Sequence, residues 1–237
     1  MNPLRIPVSC CLVVLFTLGG CIPSKNPTGK TAYYTLEYDP PTFEGLEPLP
    51  WVIQVRQFQA APFYSTNRIM FQEGRFKRDA YIYHQWRVKP SDLVTFLLKR
   101  DIQSSSLFKA VFGRNSQFLP SHTVEGTVEE FFERDEGNVC EAVLSIGIIL
   151  MKEKEPDITR RVLLQKTYSA RSPCAKRNPQ ALAEAMSLVM AKVSEQIIQD
   201  IYRSLSGHGL SGTGSRGGPV CRLSHYDERR TRAFIED

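Results

Sequence analysis

The chain changes its hydrophobic period several times, and each change predicts an element. Tyr33-Tyr34-Thr35-Leu36-Glu37-Tyr38 alternates β-formers and predicts a first strand, which Asp39-Pro40-Pro41 ends. Trp51 to Arg56 follows as a second strand, whose consecutive apolar residues suit an inner position of a sheet covered on both faces. Ile69-Met70-Phe71 and Arg75-Phe76-Lys77 flank Glu73-Gly74 as a hairpin, and Tyr81-Ile82-Tyr83 adds a short extended piece. Pro90-Ser91-Asp92 starts a helix that runs to Ile102, with Leu93, Phe96, Leu97 and Arg100 at helical spacing. Leu107 to Phe112 predicts a short strand.

Three longer strands come next: His122–Glu133, Cys140–Met151 and Arg160–Ala170. In the first, alternation puts Val124, Gly126, Val128 and Glu130 on one face. Turn residues at Asp135–Asn138 and Glu155–Asp157 join the three into an antiparallel meander. Asn178-Pro179 then caps a long helix. Its stripe of Leu182, Ala185, Met186, Val189, Val193, Ile197 and Ile201 is placed to cover one sheet face.

The two ends read differently. From Arg5 an apolar run through Leu12, Val13, Val14, Leu15 and Phe16 closes on Leu18-Gly19-Gly20-Cys21, the parts of a secretory signal. As an uncleaved span the run falls short of the ~20 apolar residues required. Leucine, two glycines and cysteine resemble the bacterial lipobox, which implies cleavage before Cys21 and a lipid on its thiol. Residues 1–20 are thus a signal peptide, 21–32 a tether rich in proline and glycine, and 33–205 one domain. Residues 206–237, a glycine-serine linker and a charged end, form a disordered tail.

Composition alters this little. The formal charge is +5, or +4 once Arg5 leaves with the signal. The basic residues of the first half read as a solvated surface, with anionic headgroups the alternative. No nucleic-acid module is present. Gly212, Gly214 and Gly217 match a dinucleotide spacing but lie in the tail, without the strand and helix that would give them meaning. His84, His122, His208 and His225 show no metal-ligand spacing, and Glu129-Glu130 and Asp135-Glu136 read as adjacent solvated carboxylates. No catalytic residue, metal or cofactor is implied.

Of six cysteines, Cys140, Cys174 and Cys221 remain once Cys10 and Cys11 leave and Cys21 takes lipid. A hairpin reversing near Asp157 sets Cys140 opposite Cys174, at the ~4.5 Å Cα separation of a non-hydrogen-bonded pair. The two form a disulfide with Cys221 left free, or they are unpaired thiols.

Taken together, the lipobox, Tyr33-Tyr34-Thr35-Leu36, Trp51-Val52-Ile53-Gln54-Val55, Arg68-Ile69-Met70-Phe71, the Tyr83…Trp86 stretch and the Pro90–Ile102 helix resemble a known family. Phe108-Lys109-Ala110-Val111, the meander and the final helix complete the order. The family is the auxiliary lipoprotein component of ABC-type transport systems, which accompanies MCE-domain lipid transporters and paraquat-inducible operons. The resemblance spans residues 33 to 203. It implies an α/β domain with a mixed sheet and packed helices, similar to anticodon-binding-domain and TolB N-terminal types. It also implies a non-catalytic, lipid-anchored periplasmic subunit with an ABC permease, ATPase and MCE-domain protein as partners. A structural envelope tether is the alternative, and oligomer formation stays open. Trp86-Arg87-Val88-Lys89-Pro90 departs from the family's Trp-Ala-Glu-Pro-Leu-like run, so no partner surface transfers from it. The aromatic region of Tyr81, Tyr83 and Trp86 is a candidate contact surface or, alternatively, core. Ile22 follows the anchor in place of an inner-membrane retention aspartate, which favours the outer membrane.

Replacing Cys21 with alanine should leave an uncleaved precursor without lipid. Mass spectrometry that finds mature protein with an unmodified Cys21 would end the lipobox reading.

Overall fold

A computed structural model describes residues 29–208, apart from 114, 115 and 138. In chain order the elements are β1 (Ala32–Tyr34), β2 (Leu49–Val55), β3 (Gln59–Ala60), a 3-10 turn at Pro62–Tyr64, β4 (Arg68–Glu73) and β5 (Lys77–Trp86). They continue with α1 (Pro90–Ser104), β6 (Phe108–Phe112), β7 (His122–Glu136), β8 (Val139–Lys152), α2 (Ile158–Arg161), β9 (Val162–Pro173) and α3 (Pro179–His208).

Among the described residues nine strands join one mixed sheet, and β7 is its spine. On one edge β7 pairs antiparallel with β8 along its length, and β8 pairs with β9. This is the expected meander. On the other edge three short strands lie in file, each parallel to β7: β2 at His122–Val124, β3 at Thr127–Val128 and β4 at Glu133–Asp135. The sheet then forks. β6 adds to β2 at one end, while β5 and then β1 add to β4 at the other. The result is a mixed α/β single domain.

Helices α1 and α3 cover one face. Along β8 the even-numbered residues Ala142, Leu144, Ile146, Ile148 and Leu150 point into this core. They meet the α3 stripe, whose seven predicted members are all buried. Asn178 caps α3 as expected, its side-chain oxygen accepting from Ala181 N–H at 2.8 Å. The helix runs to His208, three residues beyond the expected end at Leu205. Over β7, Gly126 makes room for the ring of Phe58; a Cβ there would collide with that ring and with the Gly147 carbonyl.

Several boundaries differ from the sequence expectation. β1 stops at Tyr34, because its pairing partner β5 ends level with it at Trp86. The segment after it leaves the sheet to place Leu36 in the core and Tyr38 on α1. There the Tyr38 hydroxyl donates to buried Asp101 at 2.6 Å, and burial followed by that carboxylate pushes the tyrosine pKa up. Arg100 closes the group, its Nε donating to Asp101 at 2.9 Å. The expected Tyr81–Tyr83 piece is part of the ten-residue β5. At the second meander reversal Asp157 caps the short α2, accepting from Thr159 N–H at 2.9 Å.

Cys140 and Cys174 face each other and are disulfide-bonded, with Cα atoms 5.4 Å apart. They occupy a hydrogen-bonded position of the ladder, Cys174 N–H donating to the Cys140 carbonyl at 2.8 Å, and not the closer non-hydrogen-bonded position anticipated. The bond closes the open end of the β8–β9 pair just before α3 begins.

Replacing both cysteines with serine should lower stability by ~2–4 kcal/mol. Urea midpoints of the wild type with and without reductant check this: an unchanged midpoint would show that the bond adds nothing.

Candidate functional site

The aromatic stretch expected as a contact surface or, alternatively, as core divides into three environments. Trp86 is core, 1% exposed, with its ring edge-on to Phe131 at 5.1 Å. It is therefore withdrawn as a surface residue: β5 ends there between β4 and β1, and its side chain falls under the helices. Tyr81 is half-buried, packed edge-on against Phe71 and His84. Its hydroxyl donates to Glu133 Oε2 at 2.8 Å. Tyr83 is 37% exposed, and its ring lies against the backbone of Gly29, where a Cβ would sit 2.8 Å away. The exposed neighbours are ones the pattern did not single out: Ile82, and Tyr33 with the Arg87 guanidinium over its ring at 5.4 Å.

Glu133 is the unexpected member, a carboxyl only 2% exposed. Burial, with Asp135 adding to it, pushes its pKa up against the opposing Tyr81 hydrogen bond and the Arg177 charge. Arg177 also binds Asp135 and the Gly137 carbonyl, tying the approach to α3 onto the β7–β8 turn. The Cys140 sulfur lies 3.3 Å from Glu133 Oε1. A disulfide sulfur carries no proton, so this is a packing contact. The cluster is sealed by the sheet and the disulfide, and its chemistry is structural.

The opposite face of the meander carries no α-helix, and the 3-10 turn covers only its Phe132 end, where Tyr64 stacks. Its rows are Glu125–Ile149–Gln165 and Thr127–Gly147–Thr167, bordered by Arg56, Gln57 and Gln59. Together these line a groove of about 920 Å³. A bulge at Glu129 builds its floor, because the β7–β8 register shifts between Val128 and Glu130. The shift corrects the expected alternation: Phe131, not Glu130, joins Val124 and Val128 in the core, and Glu130 falls opposite Ser145. Phe132 is buried as well, because Tyr64 stacks on it at 6.1 Å and the Arg78 guanidinium sits over its ring at 4.9 Å.

The bulged Glu129 lays its carboxylate across β8, accepting from Ser145 Oγ at 3.3 Å and Thr167 Oγ1 at 3.4 Å. Gly147 allows this, since a Cβ there would stand 2.6 Å from Glu129 Oε1. At the rim Arg56 bridges Glu125 at 2.6 Å and Glu153 at 3.3 Å. Gln57 donates to Asp92 at 2.8 Å. The lining offers hydroxyls, amides and carboxylates in fixed positions, a surface for hydrogen-bonded contact. The Val-Glu-Glu-Phe-Phe break in alternation was the available signal for the bulge.

Among the described residues no group of three or more His, Cys, Asp or Glu is placed to hold a metal. No described helix is long and apolar enough to cross a membrane. Cys21 and the tail with Cys221 lie outside the described residues.

Residues 34–198 match the family described as the ABC-type transport auxiliary lipoprotein component. The chain belongs to that family. Among solved structures, the auxiliary domain is similar to protein XCC0632 from Xanthomonas campestris, a DUF330 protein, with a TM-score of 0.68 at 16% identity. That match covers 77% of this chain and 100% of the other. An uncharacterised protein is similar at a TM-score of 0.57 and 15% identity, over 73% of this chain and 99% of its own. At these identities the likeness concerns the fold. No curated protein matches the chain.

Within the auxiliary domain Glu133 sets a pH dependence. A carboxyl whose pKa is raised on folding stabilises the fold below its unfolded pKa, near 4.5. That contribution is lost as pH rises through the folded value. Glu133→Gln keeps an acceptor for Tyr81 and removes the charge, so its stability relative to wild type should rise with pH from about 4.5 upward. Denaturation at pH 4, 6 and 8 checks this, and parallel pH profiles for the two proteins would refute it.

Proposed function

We propose that this protein is a lipid-anchored accessory subunit, acylated at Cys21, that works by binding within an ABC transport system and has no catalytic role of its own. Its transporter moves lipids or other hydrophobic compounds across the Gram-negative envelope and includes an MCE-domain protein. The family match over residues 34–198 carries this reading. The Leu18-Gly19-Gly20-Cys21 motif supports the anchor, and Ile22 after the cysteine supports the outer membrane as its home. A short tether then holds the domain at high effective concentration for a membrane-bound partner. The uncovered meander face, with Glu129, Thr127, Gln165 and Thr167 presented in register, is where that partner's periplasmic part docks.

Photocrosslinking from Gln165 in cells, with the anchor intact, should capture a permease- or MCE-type protein. Glu129→Lys should lower the yield by about tenfold, equivalent to ~1.4 kcal/mol, while stability shifts by no more than ~0.5 kcal/mol. Recovery of no such partner, together with unchanged envelope lipid asymmetry on gene deletion, would sink the transporter reading and leave a structural tether.

A further inference from the structure

The turn between β4 and β5 presents Phe76, the most exposed large apolar side chain among the described residues, at 90%. Arg75 lies over one side of its ring, 5.3 Å from the centroid, and Lys77 pairs with Glu73 at 2.5 Å on the far side of the turn. A lone surface phenylalanine is ordinary. Its position relative to the start of the domain is what gives it meaning.

Strand β1 runs parallel to β5, with Ala32 opposite His84 and Tyr34 opposite Trp86. Followed backwards, the chain therefore heads along β5 toward the Phe76 turn, and Gly29 rests against Tyr83 on the way. Seven residues separate Tyr83 from Phe76, which at strand rise is about 23 Å. Eight residues separate Gly29 from Cys21, and fully extended they span at most about 29 Å. The tether therefore reaches the level of the Phe76 turn with little to spare.

The other end lies against the direction in which the chain leaves β1. Arg68 lies opposite Gln85, and Phe71 lies opposite Glu133. Tracing this register places Gly29 near the level of Phe131. Phe131 lies opposite Leu144 and His122, where β7 begins, opposite Lys152, with the loop bearing Leu119 beyond it. From Leu144 to Lys152 is eight residues, about 26 Å at strand rise, so the tether would have to double back and extend almost fully before meeting the Leu119 loop. Leu119 is itself 83% exposed, so exposure alone does not separate the two ends; the direction of the chain before β1 does.

We propose that the β4–β5 turn is a second membrane contact, with Phe76 seated at the headgroup–acyl boundary of the leaflet that holds the Cys21 anchor. The proposal rests on the anchored reading above. Arg75, Lys77, Arg78 and Arg177 at this end are largely offset by Glu73, Asp79 and Asp135, so the contact depends mainly on the aromatic ring and little on anionic lipid. An aromatic side chain sits favourably at this depth, and a second weak contact turns a swinging tether into a defined orientation. It turns the β1–β5 branch toward the membrane and leaves the open meander face free at its side.

The test uses the full lipidated protein in phosphatidylethanolamine–phosphatidylglycerol vesicles with brominated acyl chains. Phe76→Trp should show blue-shifted emission that loses intensity in brominated vesicles. Leu119→Trp and the wild type, which contains Trp51 and Trp86, should not. Raising the salt should leave the quenching in place. If Phe76→Trp floats with the vesicles, carries lipid on Cys21 and is quenched no more than Leu119→Trp, the second contact is overturned while the anchor stands. Equal quenching at both positions overturns the orientation. A Cys21 without lipid by mass overturns anchor and contact together, and so is distinguishable from failure of the turn alone.

Discussion

A fifteen-residue strand inside a sheet has two edges of backbone donors and acceptors to satisfy, and in this protein β7 is that strand. One edge is simple, because the hairpin to β8 pairs it along its whole length. No single strand among the described residues takes the other. β2, β3 and β4 divide it among them, arriving in order and parallel to it. The fork of the sheet follows, since β6 extends one of these short strands while β5 and β1 extend another. Placing α1 and α3 on a common face then buries the even-numbered residues of β8 and leaves the reverse face of the meander open except where Tyr64 covers Phe132.

The place where this arrangement is most constrained is the end of β7 beside β4. Glu133 is buried there under Tyr81 and the Cys140–Cys174 bond, and Arg177 ties Asp135 and the β7–β8 turn to the lead-in of α3. A buried carboxyl is costly unless it is hydrogen-bonded or neutral. Its partners come from β5, β8 and the chain before α3, so the group has the right environment only when the elements are assembled. The disulfide holds the same junction covalently.

Function in this reading divides between surfaces. The bare face, floored by the bulged Glu129, offers hydrogen-bonding groups that no part of the described chain covers. The β1–β5 branch leads back to the tether and the membrane. These surfaces belong to different branches of the sheet, so a subunit held at one is accessible at the other, which suits an accessory component that connects a bilayer to a transporter.

Elements whose cause is local were legible in the sequence. The stripe from Leu182 to Ile201, the Asn178 cap, the Pro90 start and the three meander strands all depend on period and short-range chemistry. So did the facing of Cys140 and Cys174, because one reversal sets the register of a hairpin. Where an outcome depends on distant chain, the sequence was silent or misleading. The parallel pairing of β2, β3 and β4 with β7 carries no local mark. Alternation extended through Val128 put Glu130 where Phe131 belongs, because a bulge is fixed by the partner strand and by Gly147 beneath Glu129. Tyr81, Tyr83 and Trp86 read as one aromatic run, yet β4, the helices and the incoming chain at Gly29 give each a different environment. Sequence alone determined the longer strands and the two long helices, though not β3 or the short α2, and that the N-terminus resembles a lipid-anchor signal. Burial of Glu133, exposure of Phe76 and the bare meander face were decided only by tertiary structure, since each is a relation between residues that meet only when the sheet closes around β7.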